Sequence, residues 1–189
     1  MQIAPNKFII KPQGGKEQIN SVEGDFGEII LNSHIHVDDQ DFSNRIAEII
    51  ATPLSNVTSA EVGDKLIVGH NVFRKWLDWH GKIEEGNTVV DDLYYAENTA
   101  VYGYIKEGET FSTNDWALLD PVPHTDELLI ASGFRVDQGI LRYPSDSKFP
   151  LSLEVGTKVA FKANNFVPIP INDETIYRVR IKDILLYGL

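Results

Sequence analysis

An internal repeat is the feature that most limits how this chain can fold. The segment 61–68 (EVGDKLIV) recurs as 154–161 (EVGTKVAF). Further matches at the same offset join Asn71 and Phe73 to Asn164 and Phe166. A Val-Gly-x-Lys pattern is typical of a tight glycine turn that leads into a half-buried strand. The chain is therefore expected to contain one small unit twice.

Two further matches extend the repeat toward the ends of each copy. Near the start of each copy, 8–12 (FIIKP) matches 117–121 (ALLDP). Near the end, 92–97 (DLYYAE) matches 174–179 (ETIYRV), and 101–104 (VYGY) matches 184–187 (ILLY). We expect two modules, 1–114 and a degenerate 115–189, which pack together because the link between them is short. The alternative is two unrelated sets of strands that share a common turn.

The local pattern predicts a mostly β protein. Short runs rich in β-branched and aromatic residues, such as 8–10, 46–50 and 65–68, are bounded by Gly, Pro, Asn and Asp. Helical periodicity is weak, with a short helical turn considered at 74–79. Many short strands with frequent turns are typical of barrels or sandwiches.

Composition excludes several classes of function. The 17 Lys and Arg residues stand against 28 Asp and Glu, a formal charge of −11, which disfavours nucleic-acid binding. The one dense basic stretch, 177–182, alternates with apolar residues and is interpreted as the outer face of a strand. No cysteine is present, no apolar run is long enough to span a membrane, and the first residues lack a secretory pattern. We expect a cytoplasmic protein without disulfides or thiolate chemistry.

The order of motifs resembles the GroES family of co-chaperonins. In that family a strand of the Val-Ile-Val-Lys type precedes a long loop, and a Val-Gly-Asp turn and an Asp-Ile-Leu strand follow. The matching segments of the first half are 8–11, 27–31, 47–51 and 62–67, and those of the second are 139–141, 155–158 and 182–185. The resemblance implies two tandem GroES-like small β-barrel modules.

The resemblance also implies a function and a docking site. The chain would be a co-chaperonin that caps a GroEL-type chaperonin ring, without enzymatic activity or cofactor of its own. Residues 21–44 would form a mobile loop, of which Ile29, Ile30 and Leu31 would enter an apolar groove of the chaperonin. A homo-oligomeric ring is implied, with seven chains if it follows the usual symmetry of the family.

Departures from the family pattern point to a particular variant. A tandem chain resembles the fused plastid form or tailed-phage homologues. Only 52–60 spans the position of the roof hairpin, which is expected to be missing as in phage co-chaperonins, and the second module has only the short 125–133 in place of a mobile loop. The alternative function is a structural or assembly protein, viral or cellular, that uses the same barrels without binding a chaperonin.

The residues of 21–44 allow two structures. Polar and acidic flanks around an apolar tripeptide favour a flexible loop that orders on docking, at a cost of roughly 2–5 kcal/mol. Several loops on one ring would restore the affinity through effective concentration. The alternative is an ordinary buried strand, because 28–31 followed by 34–37 can alternate in a sheet.

Enzymatic and metal sites are only weakly indicated. His34 and His36 would share a strand face near three aspartates, yet solvated side chains are the simpler interpretation. Gly14-Gly15-Lys16 lacks the upstream glycine of a phosphate-binding loop, and the carboxylate pairs 84–85 and 91–92 are typical of solvated turns. An aromatic stretch is interpreted as core, with a ligand or subunit contact as the alternative; its members are His70, Asn71, Phe73, Trp76, Trp79 and His80.

Overall fold

The chain is mostly β, as predicted. The computed structural model describes residues 5–16, 21–24, 27–30, 43–80, 82–113, 115–123, 134–144, 146, 153–163, 165–171 and 174–188. Their only helical elements are 3-10 turns at Gln13–Gly15, His70–Phe73, Asn98–Ala100 and Ile181–Asp183, and none is long and apolar enough to cross a membrane. The helical turn considered at 74–79 is wrong, because Lys75–Leu77 is a strand.

The chain divides into two compact units. The first comprises Met1–Asn56 and Glu61–Val101, and the second comprises Val57–Ala60 and Tyr102–Leu189. The strands of the first are β1 (Lys7–Pro12), β2 (Ser21–Gly24), β3 (Gly27–Ile30), β4 (Ile46–Ala51), β5 (Lys65–Val68), β6 (Lys75–Leu77), β7 (Ile83–Glu85), β8 (Thr88–Val90) and β9 (Leu93–Glu97). Its strands are paired in the order β5-β4-β1-β9-β8, while β2–β3 and β6–β7 are separate ribbons.

The second unit repeats this order. Its strands are β10 (Val101–Lys106), β11 (Glu109–Ser112), β12 (Trp116–Pro123), β13 (Phe134–Leu141), β14 (Lys158–Phe161), β15 (Phe166–Ile171), β16 (Glu174–Arg180) and β17 (Ile184–Tyr187). β10 and β11 form a hairpin, and the sheet runs β17-β14-β13-β12-β16-β15. The order β14-β13-β12-β16-β15 corresponds, strand by strand, to the order β5-β4-β1-β9-β8 of the first unit. Within the described residues the paired strands form open sheets and no closed barrel.

Hydrogen bonds at the repeated Val-Gly turn also coincide. The amide of Gly63 donates to the carbonyl oxygen of Ile49 at 2.9 Å, and that of Gly156 to Leu141 at 2.7 Å. Both glycines have positive φ, 94° and 87°, a backbone region that residues with a Cβ avoid. The glycine in the repeated motif is thus required by the same turn in both units.

Strand register corrects one part of the sequence repeat. Ile10 lies opposite Tyr94 in the first unit, and Leu119 lies opposite Tyr177 in the second. Tyr94 therefore corresponds to Tyr177, whereas the sequence match of 92–97 with 174–179 aligned Tyr95 with it. The difference is one residue, which in a strand exchanges the buried and exposed faces.

Equivalent positions fill the core of each unit. Ile10 and Leu119 are fully buried, and so are Ile49 and its counterpart Leu141 to within 1%. Two aromatic side chains exchange places between strands, since Phe8 corresponds to Ala117 while Val68 corresponds to Phe161. A large side chain on one strand and a small one on its neighbour conserve the core volume, which a close-packed interior requires.

Candidate docking site

The predicted docking tripeptide lies partly on the β2–β3 ribbon. Ile29 is opposite Val22 and Ile30 is opposite Ser21 in antiparallel pairing. This ribbon is a sheet of its own, distinct from the sheet that contains β1 and β4. Leu31, and with it the predicted histidine and aspartate cluster of 34–41, lies outside the described residues. Docking by the three residues therefore stays a prediction.

The base of the segment 21–44, which we call the docking segment, is held by Asn44. This side chain is 4% exposed. Its amide nitrogen donates to the carbonyl oxygens of Gln13 and Lys16, both at 2.9 Å, and its Oδ1 accepts from the amide of Ile46 at 2.9 Å. One buried side chain thereby joins the turn after β1 to the start of β4, which fixes where the segment leaves and re-enters the unit.

Asn44 was not among the residues that the sequence patterns indicated as functional. The available signal was an asparagine directly ahead of the alternating run 45–51, where a short amide can satisfy backbone groups of a turn. In the second unit the residue five places before Leu141 is Val136, just as Asn44 is five places before Ile49. Valine has no side-chain amide, so Val136 cannot make the side-chain hydrogen bonds that Asn44 makes in the first unit.

A shallow cavity of about 400 Å³ adjoins the base of the docking segment. It is lined by residues of β1, β4, β5 and the 3-10 turn that Asn44 holds: Lys11, Pro12, Gln13, Gly14, Gly15, Glu48 and Lys65. The Nζ of Lys11 is 2.5 Å from Oδ2 of Asp92. A hydrogen bond from Lys11 lowers the pKa of Asp92, and the same bond raises the pKa of Lys11. Lys11 therefore contributes to the cavity as one half of an ion pair.

The outermost strand of each unit's paired order exposes apolar side chains. In the first unit β8 exposes Val89 and Val90, and in the second β17 exposes Leu185, Leu186 and Tyr187. An unpaired strand edge with apolar side chains is a template for pairing with another chain. Because β15 contains Pro168 and Pro170, which lack an N–H group, its edge is a poorer template.

The aromatic stretch 70–80 divides into a core part and an exposed part. Phe73 is buried and packs edge-on against Tyr94 with ring centroids 5.0 Å apart. Trp79 is 89% exposed and lies against His80, with ring centroids 3.3 Å apart and ring planes inclined by 37°. The core interpretation holds for Phe73 and is wrong for Trp79, and the side chain of Trp76 lies outside the described residues.

The described residues bring together no group of three or more His, Asp or Glu side chains that could hold a metal. Of the carboxylate pairs, Glu84 is 2.8 Å from the Nζ of Lys82 and Asp91 occupies a turn with a φ of 48°. Gly14 and Gly15 belong to the turn that Asn44 holds, which is a structural use of that motif. When the chain is compared with models of protein families and with curated proteins, none of them matches.

Proposed function

We propose that the chain is a co-chaperonin, a lid that caps a GroEL-type chaperonin ring and assists ATP-dependent protein folding. It would hydrolyse nothing itself, because the chaperonin supplies the ATPase. Each unit would be a GroES-like module, with closure of its strands into a small barrel, and several chains would form a ring in the host cytoplasm.

One observation carries this proposal: a single β unit occurs twice, and the first copy alone has a long clamped insertion between its first two repeat strands. Asn44 ties the start and the end of that insertion at one place. The proposal assigns docking to the residues between these anchored ends. Ile29, Ile30 and Leu31 then supply apolar surface worth roughly 4–8 kcal/mol on burial, before the cost of ordering.

The strand edges support the homo-oligomer that the proposal needs. An edge at β8 and an edge at β17 are different surfaces of one chain, and head-to-tail contact between different surfaces generates rings when the rotation closes. The same edges also favour the second candidate, a structural or assembly protein that never contacts a chaperonin. The two candidates differ in the role of the docking segment.

Binding to the chaperonin of the host, with and without ATP, tests the proposal. The intact chain is compared with a triple variant, Ile29→Asp, Ile30→Asp and Leu31→Asp, and with Leu54→Asp as a control that places one charge on an exposed apolar residue. We expect ATP-dependent capture of the intact chain and of the control, and loss of capture in the triple variant with an unchanged circular dichroism spectrum. Absence of capture of the intact chain would overturn the co-chaperonin function and leave the assembly function.

A further inference from the structure

Two arginines in the second unit surround one buried tryptophan. The guanidinium carbon of Arg178 is 4.2 Å from the ring centre of Trp116 and 4.3 Å from that of Tyr102. Arg180 approaches the same tryptophan at 5.1 Å. Trp116 is 6% exposed, Arg178 is half-buried and Arg180 is exposed. The basic stretch 177–182 is therefore more than the outer strand face that the sequence predicted, because two of its cations contact the ring of Trp116.

The first unit has the same arrangement with its charges balanced. Trp116 pairs with Arg180 across the strands, and the equivalent pair in the first unit is Lys7 with Glu97. There the Nζ of Lys7 lies 3.8 Å above the ring of Tyr95, the counterpart of Arg178, and 3.6 Å from Oε1 of Glu97. Each unit thus has a cation over an aromatic ring, but the two residue types have exchanged strands: in the first unit the cation Lys7 is on β1, and in the second the cation Arg178 is on β16. The position of the carboxylate Glu97 in the first unit is that of a second cation, Arg180, in the second unit.

The two arginines lack a carboxylate partner among the residues that the structure describes. Nε of Arg178 and Nε1 of Trp116 are buried without a hydrogen-bond acceptor. Burial, followed by repulsion from Arg180, lowers the pKa of Arg178. In a chain of net charge −11, two adjacent cations without an acid are an uncommon arrangement. The guanidinium of Arg178 is hydrogen-bonded to the side chain of Tyr102, and Arg180 is exposed, so a partner's planar carboxylate would approach the two arginines from the side of Arg180.

The neighbouring strand decides what kind of partner fits. Val167 lies opposite Arg178 on β15, on the same face of the sheet, and is 39% exposed. Pro168 and Pro170 prevent regular backbone pairing along that edge. A partner would therefore be bound through its side chains, with an apolar group on Val167. Nucleic acid is disfavoured, because the net negative charge repels an extended polyphosphate.

We propose that the face formed by Trp116, Val167, Arg178 and Arg180 binds an acidic segment of a partner protein, whose carboxylate pairs with the two arginines. This site is independent of the docking segment and does not rest on the co-chaperonin function. It gives the second unit, which lacks a long insertion, an interaction surface of its own.

A titration of the full chain with a blocked peptide of alternating aspartate and leucine tests this site. Binding is followed through the Nε–Hε resonances of the arginines. A control peptide has asparagine in place of each aspartate. We expect the acidic peptide alone to shift Arg178 and Arg180. Arg180→Glu, which restores the charge balance of the first unit, should weaken binding at least about tenfold.

Two controls separate this site from general attraction. Lys182→Glu makes the same change of two charges two residues further on, at an exposed residue without a ring contact to Trp116, and should change binding less than about twofold. Equal weakening by Lys182→Glu and Arg180→Glu would overturn the site. So would equal binding of the asparagine peptide, or binding of inorganic phosphate as tight as that of the acidic peptide, which would show a site for small oxyanions. Arg180 is exposed, so its variants are expected to fold, as thermal unfolding would verify.

Discussion

The two units have the same order of strands in their sheets. They differ in the segment that joins the first two repeat strands. In the first unit 13–45 lies between β1 and β4 and is tied at its base by Asn44. In the second unit only 124–133 lies between β12 and β13. The strand order and the Val-Gly turn are nevertheless the same. The sheet is therefore stable as an architecture with or without the insertion, which leaves the insertion available for a function.

The two units have apolar residues at equivalent core positions, but they differ in charge at equivalent surface positions. Buried counterparts remain apolar, as in Ile10 and Leu119, because any polar replacement there would lose its hydrogen bonds with water. At one pair on the sheet, the exposed Glu97 of the first unit is replaced by the exposed Arg180 of the second, and the half-buried Lys7 by the buried Trp116. Exposed positions can exchange charge at little cost to stability, so the charge can differ there while the core stays apolar.

Truncation of equivalent core residues should have the largest effect on stability. It tests whether the two units have equivalent cores. Ile10→Ala and Leu119→Ala should each lower the free energy of unfolding by about 2–5 kcal/mol, because both side chains are fully buried. Urea denaturation followed by circular dichroism measures both, with the exposed counterparts Val62→Ala and Val155→Ala as controls. A Leu119→Ala variant as stable as its Val155→Ala control would contradict an equivalent core in the second unit.

Removal of the clamp should affect the first unit alone. Asn44→Ala deletes three hydrogen bonds of a side chain that is 4% exposed, and we expect a loss of about 1–3 kcal/mol. Hydrogen exchange should accelerate at the amide of Ile46, because this amide donates its hydrogen bond to Oδ1 of Asn44. The matched control is Asn71→Ala, an exposed asparagine that should cost less than about 0.5 kcal/mol. Unchanged exchange at Ile46 would show that the clamp does not hold the base.

The two units differ at one equivalent position of the sheet, where one has a glycine and the other an alanine. Gly139 corresponds to Ala47, and a Cβ at Gly139 would lie 2.8 Å from Cβ of Leu119. Gly139→Ala should therefore cost about 1–3 kcal/mol by overpacking. Ala47→Gly should cost roughly 0.5–1 kcal/mol through backbone entropy. Thermal unfolding compares the two, and a stabilised Gly139→Ala variant would show that Leu119 moves aside.

The smallest expected effect concerns the ion pair of Lys11 and Asp92. A hydrogen bond from Lys11 holds the pKa of Asp92 below its ordinary 3.8. The stability that this pair adds is thus present above that pH and is lost as the pH falls through the lower value in the folded chain. Lys11→Gln should return the pKa toward 3.8 in a carboxyl NMR titration. A pKa that does not rise in the variant would exclude the pair as its cause.

Much of the fold followed from the sequence, because turn chemistry and strand patterns act locally. The Val-Gly turn and the alternating runs around it predicted the mostly β class and the repeat. The match of 92–97 with 174–179 was one residue off, since a shared tyrosine outweighed the spacing of seven residues that separates Tyr94 from Val101 and Tyr177 from Ile184. Register depends on pairing with β1 and β12, which a local match cannot contain.

The functional surfaces were harder to predict because they depend on contacts between distant residues. Asn44 acts through carbonyl groups of Gln13 and Lys16, about thirty residues away in the sequence. Arg178 and Arg180 looked like an outer strand face, yet the buried ring of Trp116 that holds them comes from another strand. Such contacts are set by the sheet order, so the sequence alone indicated the residue types without their partners.

Hydrogen exchange of the full chain, free and with the host chaperonin and ATP, would show which unit contacts the chaperonin. If the first unit carries the docking segment, added protection should fall on peptides from 21–44, with 124–133 unchanged. The Ile29→Asp, Ile30→Asp, Leu31→Asp variant should show no added protection there. Protection confined to 124–133, or the absence of any protection in 21–44 when the chaperonin is bound, would contradict the assignment.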